Sequence, residues 1–213
     1  AREKPTTSLA AYECWLRGMD RLRFGTLEAD HEARELFNQA LAIDPHYSRA
    51  YVGLSLSHFN EWSCQLWELY EQSEQSAFNY AIKAFHLDER DHIVQMILGR
   101  VYIYRRQFEE AEYHIDKSLE LNSNDADTLV QLSTCLTFLG RAAEGERLFK
   151  KALRLNPYRN LWYYQYGSFT YFVQKKYRKA IGMALKRQIV KGWVDLPAVI
   201  AAAYALLDEK ELA

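Results

Sequence analysis

Self-similarity at a fixed spacing limits this chain more than any other feature. Leu98-Gly99 is followed by Leu132-Ser133, Tyr166-Gly167 and Ile200-Ala201, each 34 residues on. Ala84, Ser118 and Ala152 keep the same step, as do Glu89, Ser123 and Pro157. A period of this length belongs to stacked supersecondary units, none of which can bury its apolar face alone. Between Asp91 and Asn122, Ile93, Ile97, Val101 and Tyr104 recur at helical spacing. After Arg105-Arg106-Gln107 the pattern restarts with Phe108, Ala111, Ile115 and Leu119. Each unit therefore reads as helix, short turn, helix. Nine Gly and 4 Pro in 213 residues are too few for the many turns of a β-sandwich or barrel.

Small residues mark where the helices must meet. Gly99, Ser133 and Gly167 on first helices, with Ala111 and Gly145 on second helices, let antiparallel backbones approach closely. Asp44-Pro45, Asn122-Ser123-Asn124 and Asn156-Pro157 then close the units as turn signals.

On these residues the chain resembles the tetratricopeptide repeat family. Tyr51, Leu54, Ala77 and Ala84 fit its pattern, as do Leu98, Gly99, Tyr102 and Ala111, then Leu132, Ala152 and Pro157. Tyr163, Gly167 and Ala180 continue it, followed by Tyr204 and Ala213. The resemblance implies an all-α, right-handed α-solenoid of about five and a half repeats. Their expected bounds are 8–47, 48–90, 91–124, 125–158, 159–192 and a partial 193–213, with 1–7 as a linker remnant of a longer protein. The opening residues Ala11–Gly18 and the turn Asp44–Tyr51 are similar to arrays attached to bacterial signalling proteins. Such arrays accompany nucleotide cyclase, winged-helix or interleukin-receptor-like effector domains.

Departures from the period carry information. The first repeat is longer at Phe24–Glu28, and the second gains ten residues around Asn60–Ser76, bringing Trp62, Trp67 and Tyr70. We expect lengthened helices there, packed together, rather than an exposed ligand loop. In the fifth repeat Ala180 comes one residue late, which places the extra residue in the turn Gln174–Lys176.

No chemistry-bearing constellation appears. His31, His46, His58, His86, His92 and His114 are spread two to each of the first three repeats without ligand spacing, and no nucleophile elbow, phosphate loop or dinucleotide fingerprint occurs. The scattered Cys14, Cys64 and Cys135 read as small buried residues of a reducing, cytoplasmic setting. No apolar run is long enough to span a membrane. The expectation is a non-enzyme without metal or cofactor.

A binding module fits better. Stacked repeats make a concave face lined by first helices. With Leu98, Leu132 and Tyr166 as packing positions, the residues expected to face outward into that groove are Met96, Arg100, Ile103 and Tyr104, then Val130, Gln131, Thr134, Thr137 and Phe138, then Tyr164, Gln165, Ser168, Tyr171 and Phe172. Aromatics with amides and one Arg suit a protein or peptide partner. The family's chaperone-tail clamp needs Lys and Asn on successive faces; Val52, Arg100, Gln131 and Gln165 do not supply them.

Charge is polarised beneath a net −1: residues 1–140 hold 13 Lys and Arg against 22 Asp and Glu, and residues 141–213 hold 14 against 6. Lys150, Lys151 and Arg154, with Lys175, Lys176, Arg178, Lys179, Lys186 and Arg187, would form a basic outer patch. A solvated face is favoured over nucleic acid, because the groove aromatics lie on the other side. Head-to-tail self-association of the acidic and basic halves is a further option, and with it a regulatory role in signalling.

Overall fold

In a computed structural model, described for residues 6–65, 69–187 and 195–208, the chain is a helical solenoid. Its helices are α1 (Leu9–Leu22), α2 (Leu27–Ile43), α3 (Ser48–Asn60), α4 (Tyr70–Leu87), α5 (His92–Tyr104), α6 (Phe108–Leu121), α7 (Ala126–Phe138), α8 (Ala142–Leu155), α9 (Trp162–Val173), α10 (Tyr177–Ala184) and α11 (Asp195–Ala205). Consecutive helices pack as pairs, from α1 on α2 to α9 on α10, and α11 begins a sixth unit. The first helices α1, α3, α5, α7, α9 and α11 also pack in succession, which makes them the inner layer. Residues 1–5 of the expected linker lie outside the described residues.

The repeat period has a mechanical basis in glycine notches. A Cβ at Gly18 or Gly53 would meet the Phe37 ring at 2.4 and 2.5 Å, and one at Gly167 would meet Phe149 at 2.3 Å. A Cβ at Gly145 would meet the Ser133 carbonyl oxygen at 2.4 Å, a backbone atom that cannot rotate away. Fully buried Phe37, Ile115 and Phe149 thus seat second helices against first helices, each within one of three hydrophobic clusters that follow one another along the chain.

Turns repeat with the same regularity. Asp44, Asp88 and Asn122 each accept the amide two residues on, at 3.0–3.1 Å, and Asp91 and Asp125 cap the helices that follow. Inside the repeats, α5, α7 and α9 end in Schellman motifs: the amides of Gln107, Arg141 and Lys176 reach back to the carbonyls of Tyr102, Leu136 and Tyr171 at 2.8–2.9 Å. The motif needs a left-handed residue, which is Gly140 at φ 81° in one case but Arg106 and Lys175, at 61° and 58°, in the others. These three turns share one shape, so the extra residue of the fifth repeat falls before the turn and not in it.

The ten extra residues of the second repeat divide between elements. A π-helical turn, Glu61–Gln65, prolongs α3, and α4 spans 18 residues, while Trp67 lies outside the described residues. A π-turn absorbs an insertion inside a helix and re-aims the side chains around it. Buried Glu61 fixes this one, accepting from Arg34 through both guanidinium nitrogens, from Ser73 at 3.3 Å, and lying 3.3 Å from His58 Nδ1.

Candidate functional site

The inner helices enclose a cavity of about 210 Å³. Its walls are an aromatic ladder stepping across four of them: Phe59 to Tyr104 at 4.7 Å, Tyr104 to Phe138 at 6.4 Å and Phe138 to Phe169 at 6.4 Å. Edge-on geometry prevails in the first two contacts, the arrangement ring quadrupoles favour. The ladder starts beside the π-turn, whose Trp62 also packs edge-on against Tyr104 at 5.6 Å. The insertion therefore shapes one end of the site.

Polar groups line the rest. The Arg100 guanidinium lies 4.4 Å from the Phe59 ring centre and 5.7 Å from that of Tyr166, and donates to Gln131. Asn60, Gln165 and Thr134 join them, the Thr134 hydroxyl donating to the Tyr166 carbonyl at 3.5 Å. Burial pushes the Cys135 thiol up to about 12, so this cysteine of the wall stays protonated and inert. The site offers amides, hydroxyls and one cation between aromatic faces, chemistry for binding.

A second opening, about 110 Å³, adjoins the first through Asn60, Arg100, Gln131, Gln165 and Tyr166. The solenoid curls far enough here that the end of α1 meets the inner layer from across the groove: Arg23 pairs with Asp127 at 3.5 Å, 104 positions away in sequence. A further cleft of about 260 Å³ lies beside it, lined by Asp20, Arg23, Phe24, Asn160, Leu161, Trp162 and Arg187.

Of the residues singled out from sequence, Arg100, Ile103, Tyr104, Gln131, Thr134, Phe138 and Gln165 line the main cavity. Others turn elsewhere. Met96 is buried among Ile103, Leu132 and Leu136, and Val130 belongs to the core beside Phe149. Thr137 is buried and donates to the Ser133 carbonyl at 2.8 Å. Ser168 is buried with its hydroxyl on the Gln165 carbonyl at 2.7 Å. Tyr171 follows Gly167 by one helical turn and so shares its face, packing edge-on against Phe149 at 6.2 Å. Phe172 packs against Tyr177, and Tyr164 takes Arg159 and Lys186 over its ring at 5.6 and 5.1 Å. Phe59, Asn60, Ser63, Phe169 and Asp195 line the main cavity outside the expected set, Tyr166 lines it although the register made it a packing position, and Trp162 lines the second opening.

The outer face is less basic than its composition. Lys150 and Lys176 both pair with Glu146. Burial pushes the Glu146 carboxyl up, but hydrogen bonds and charge from these two ammonium groups outweigh it and hold it at about 2. Lys176 and Lys179 also sit 5.9 and 5.8 Å from the Tyr171 ring centre. Lys151 is half-buried, while Arg154, Lys175, Arg178, Lys179 and Lys186 are on the surface. Arg187 is not on this face: α10 stops at Ala184, and the bend beyond it carries Arg187 into the clefts beside Trp162.

His31, His46 and His86 are exposed, and His58 and His92 lie beside carboxylates. His114 is buried, lies on the Tyr102 ring at 5.4 Å and pairs with Gln95, and burial pushes its pKa down. Among the described residues no three His, Cys, Asp or Glu side chains converge to hold a metal ion, and no helix is long and apolar enough to cross a membrane.

Comparison with known proteins places this architecture. Residues 126–159, the fourth repeat, match the family model of the tetratricopeptide repeat. A thermophilic TPR protein of Thermus thermophilus superposes with a TM-score of 0.62, at 20% identity over 92% of this chain and 100% of that one. Cut9 in its APC/C hetero-tetramer with Hcn1 gives 0.62 at 16% identity, over 92% of this chain and 40% of that one. A monomeric mutant of IFIT1 with Gppp-AAAA gives 0.70 at 15% identity, over 94% of this chain and 48% of that one. No curated protein matches the chain in sequence.

Proposed function

We propose that this chain, a member of the tetratricopeptide-repeat family, is a protein-interaction scaffold whose concave face holds an extended or helical segment of a protein partner. The observation that carries this reading is the aromatic ladder from Phe59 to Phe169, open to solvent at Tyr104 and Phe138. Large rings left partly exposed on a rigid inner layer provide apolar contact at low cost in side-chain entropy. Gln131, Gln165 and Asn60 beside them supply donors and acceptors for a partner's backbone. The Cut9–Hcn1 assembly is a related fold within a hetero-tetramer, which supports use of this architecture for protein association.

The partner, isolated by crosslinking from the native source and then purified, supplies the test. Tyr104→Ala with Phe138→Ala should weaken its binding at least about tenfold, the weight of two truncated aromatic anchors. Tyr113→Ala, on the outer helix α6 and more exposed than either, should leave binding unchanged. Equal affinity of the double variant and the parent, with intact helicity, would reject the groove.

A further inference from the structure

The cleft where α1 meets α9 carries an unanswered charge. Arg187 is half-buried just beyond α10, its Nε is buried, and that nitrogen has no hydrogen-bond partner among the described residues. Trp162, lining the same two openings, likewise has a buried indole N–H without an acceptor among the described residues. The nearby carboxylates do not answer them. Asp20 and Asp127 both pair with Arg23, at 3.3 and 3.5 Å, and Asp127 also accepts the Tyr163 hydroxyl. A buried donor left unmade is costly, and a cation withdrawn from water more so. Burial accordingly pulls the Arg187 pKa below the ordinary arginine range.

Around these two donors the walls are mixed. Arg100 adds positive charge, Arg23 is already answered by Asp20 and Asp127, and Met19, Leu22 and Leu56 add apolar surface. Together the openings have room for a small molecule. We propose that this cleft is a binding site for a small organic anion, a carboxylate or phosphate group on an apolar, ring-sized body. The anionic group sits on Arg187 with the Trp162 indole N–H donating to it, and the body rests against the aliphatic end of α1. Because Arg23 comes from the first repeat and Arg187 from the fifth, occupancy ties the two ends of the solenoid together. The opening shares Asn60, Arg100, Gln131 and Gln165 with the main cavity, but Arg187 and Trp162 do not line that cavity, so loss of anion binding in an Arg187 variant tests this site apart from partner capture by the aromatic ladder.

Titration calorimetry with phenyl phosphate and with benzoate tests the site and separates the two head groups, with phenol and inorganic phosphate as controls for body and charge alone. At least one of the aromatic anions should bind saturably at a single site, more tightly than either control. Arg187→Gln should weaken it at least about tenfold, the scale of a charge-assisted hydrogen bond. Lys186→Gln, an exposed neighbour, should not. Should Arg187→Gln disturb folding, the N–H resonance of the Trp162 indole, assigned through Trp162→Phe, must shift on titration of the parent protein. Binding of neither anion, binding of phenol as tight as that of the anions, equal loss in the Arg187 and Lys186 variants, or an unmoved Trp162 resonance would each overturn the site.

Discussion

The glycine notch closed by backbone, at Gly145, gives the sharpest test of the helix packing. Replacing Gly145 with Ala puts a methyl group 2.4 Å from the Ser133 carbonyl oxygen and 2.7 Å from Thr137 Oγ1. The oxygen belongs to the backbone of α7, and Thr137 Oγ1 already donates to it at 2.8 Å, so neither can step aside. Relief requires α7 and α8 to separate by about 1 Å, since carbon contacts settle near 3.5 Å. Alanine raises helix propensity by about 1 kcal/mol, whereas overpacking of this kind costs about 3 kcal/mol when the obstacle is rigid. The variant should therefore be less stable by about 2 kcal/mol, measured by urea unfolding followed by circular dichroism. Gly182→Ala is the matched control: no atom lies within 4 Å of the added methyl, so the propensity gain should stand alone and stabilise by about 0.5–1 kcal/mol. A Gly145→Ala protein as stable as the parent would refute close approach as the reason for small residues at this register.

Two further outcomes follow from buried groups. Phe149→Ala empties the notch at Gly167 and removes the ring against Tyr171, and should cost about 3–5 kcal/mol by the same unfolding assay. Burial pushes the Glu61 carboxyl up, but hydrogen bonds from His58 and Arg34 overcome this and hold it at about 2 against an ordinary 4.5. The unfolded chain thus takes up this proton first, so the stability from Glu61 is complete above about pH 4.5 and is lost as pH falls toward 2. Between pH 7 and pH 3 the loss should be about 2 kcal/mol. Glu61→Gln should flatten that limb, leaving Asp125 and Glu146, both also at about 2, to account for the remainder.

Much of this architecture is legible from residue spacing because the repeat is a local mechanical unit. Gly99, Ser133 and Gly167 mark where backbones touch, and Asp44, Asn122 and Asn156 mark where chains turn. The inner face follows from the same register at Arg100, Gln131, Thr134 and Gln165, since residues 31 or 34 apart stand side by side on neighbouring helices. It breaks down where rotation about a helix decides. Tyr171 is aromatic like Tyr104, but it sits one turn after a glycine notch and is drawn to Phe149. The left-handed turn residues Arg106 and Lys175 carry no glycine to announce them, and are held there by Schellman hydrogen bonds. Least legible is the cleft at Arg187. It depends on α10 ending at Ala184 and on the summed curl that brings Arg23 to Asp127, neither of which any short segment encodes.

The central claim is that partners are held on the concave aromatic ladder. Site-specific photocrosslinking addresses it most directly, with the photoreactive residue placed at Phe138 on the ladder in one protein and at Tyr113 on the outer face in another. Both positions are solvent-accessible, so reactivity alone does not distinguish them. Adducts to one defined partner segment from position 138, and none of that segment from position 113, are the predicted result. The same segment crosslinked from position 113, with position 138 silent, would contradict the account.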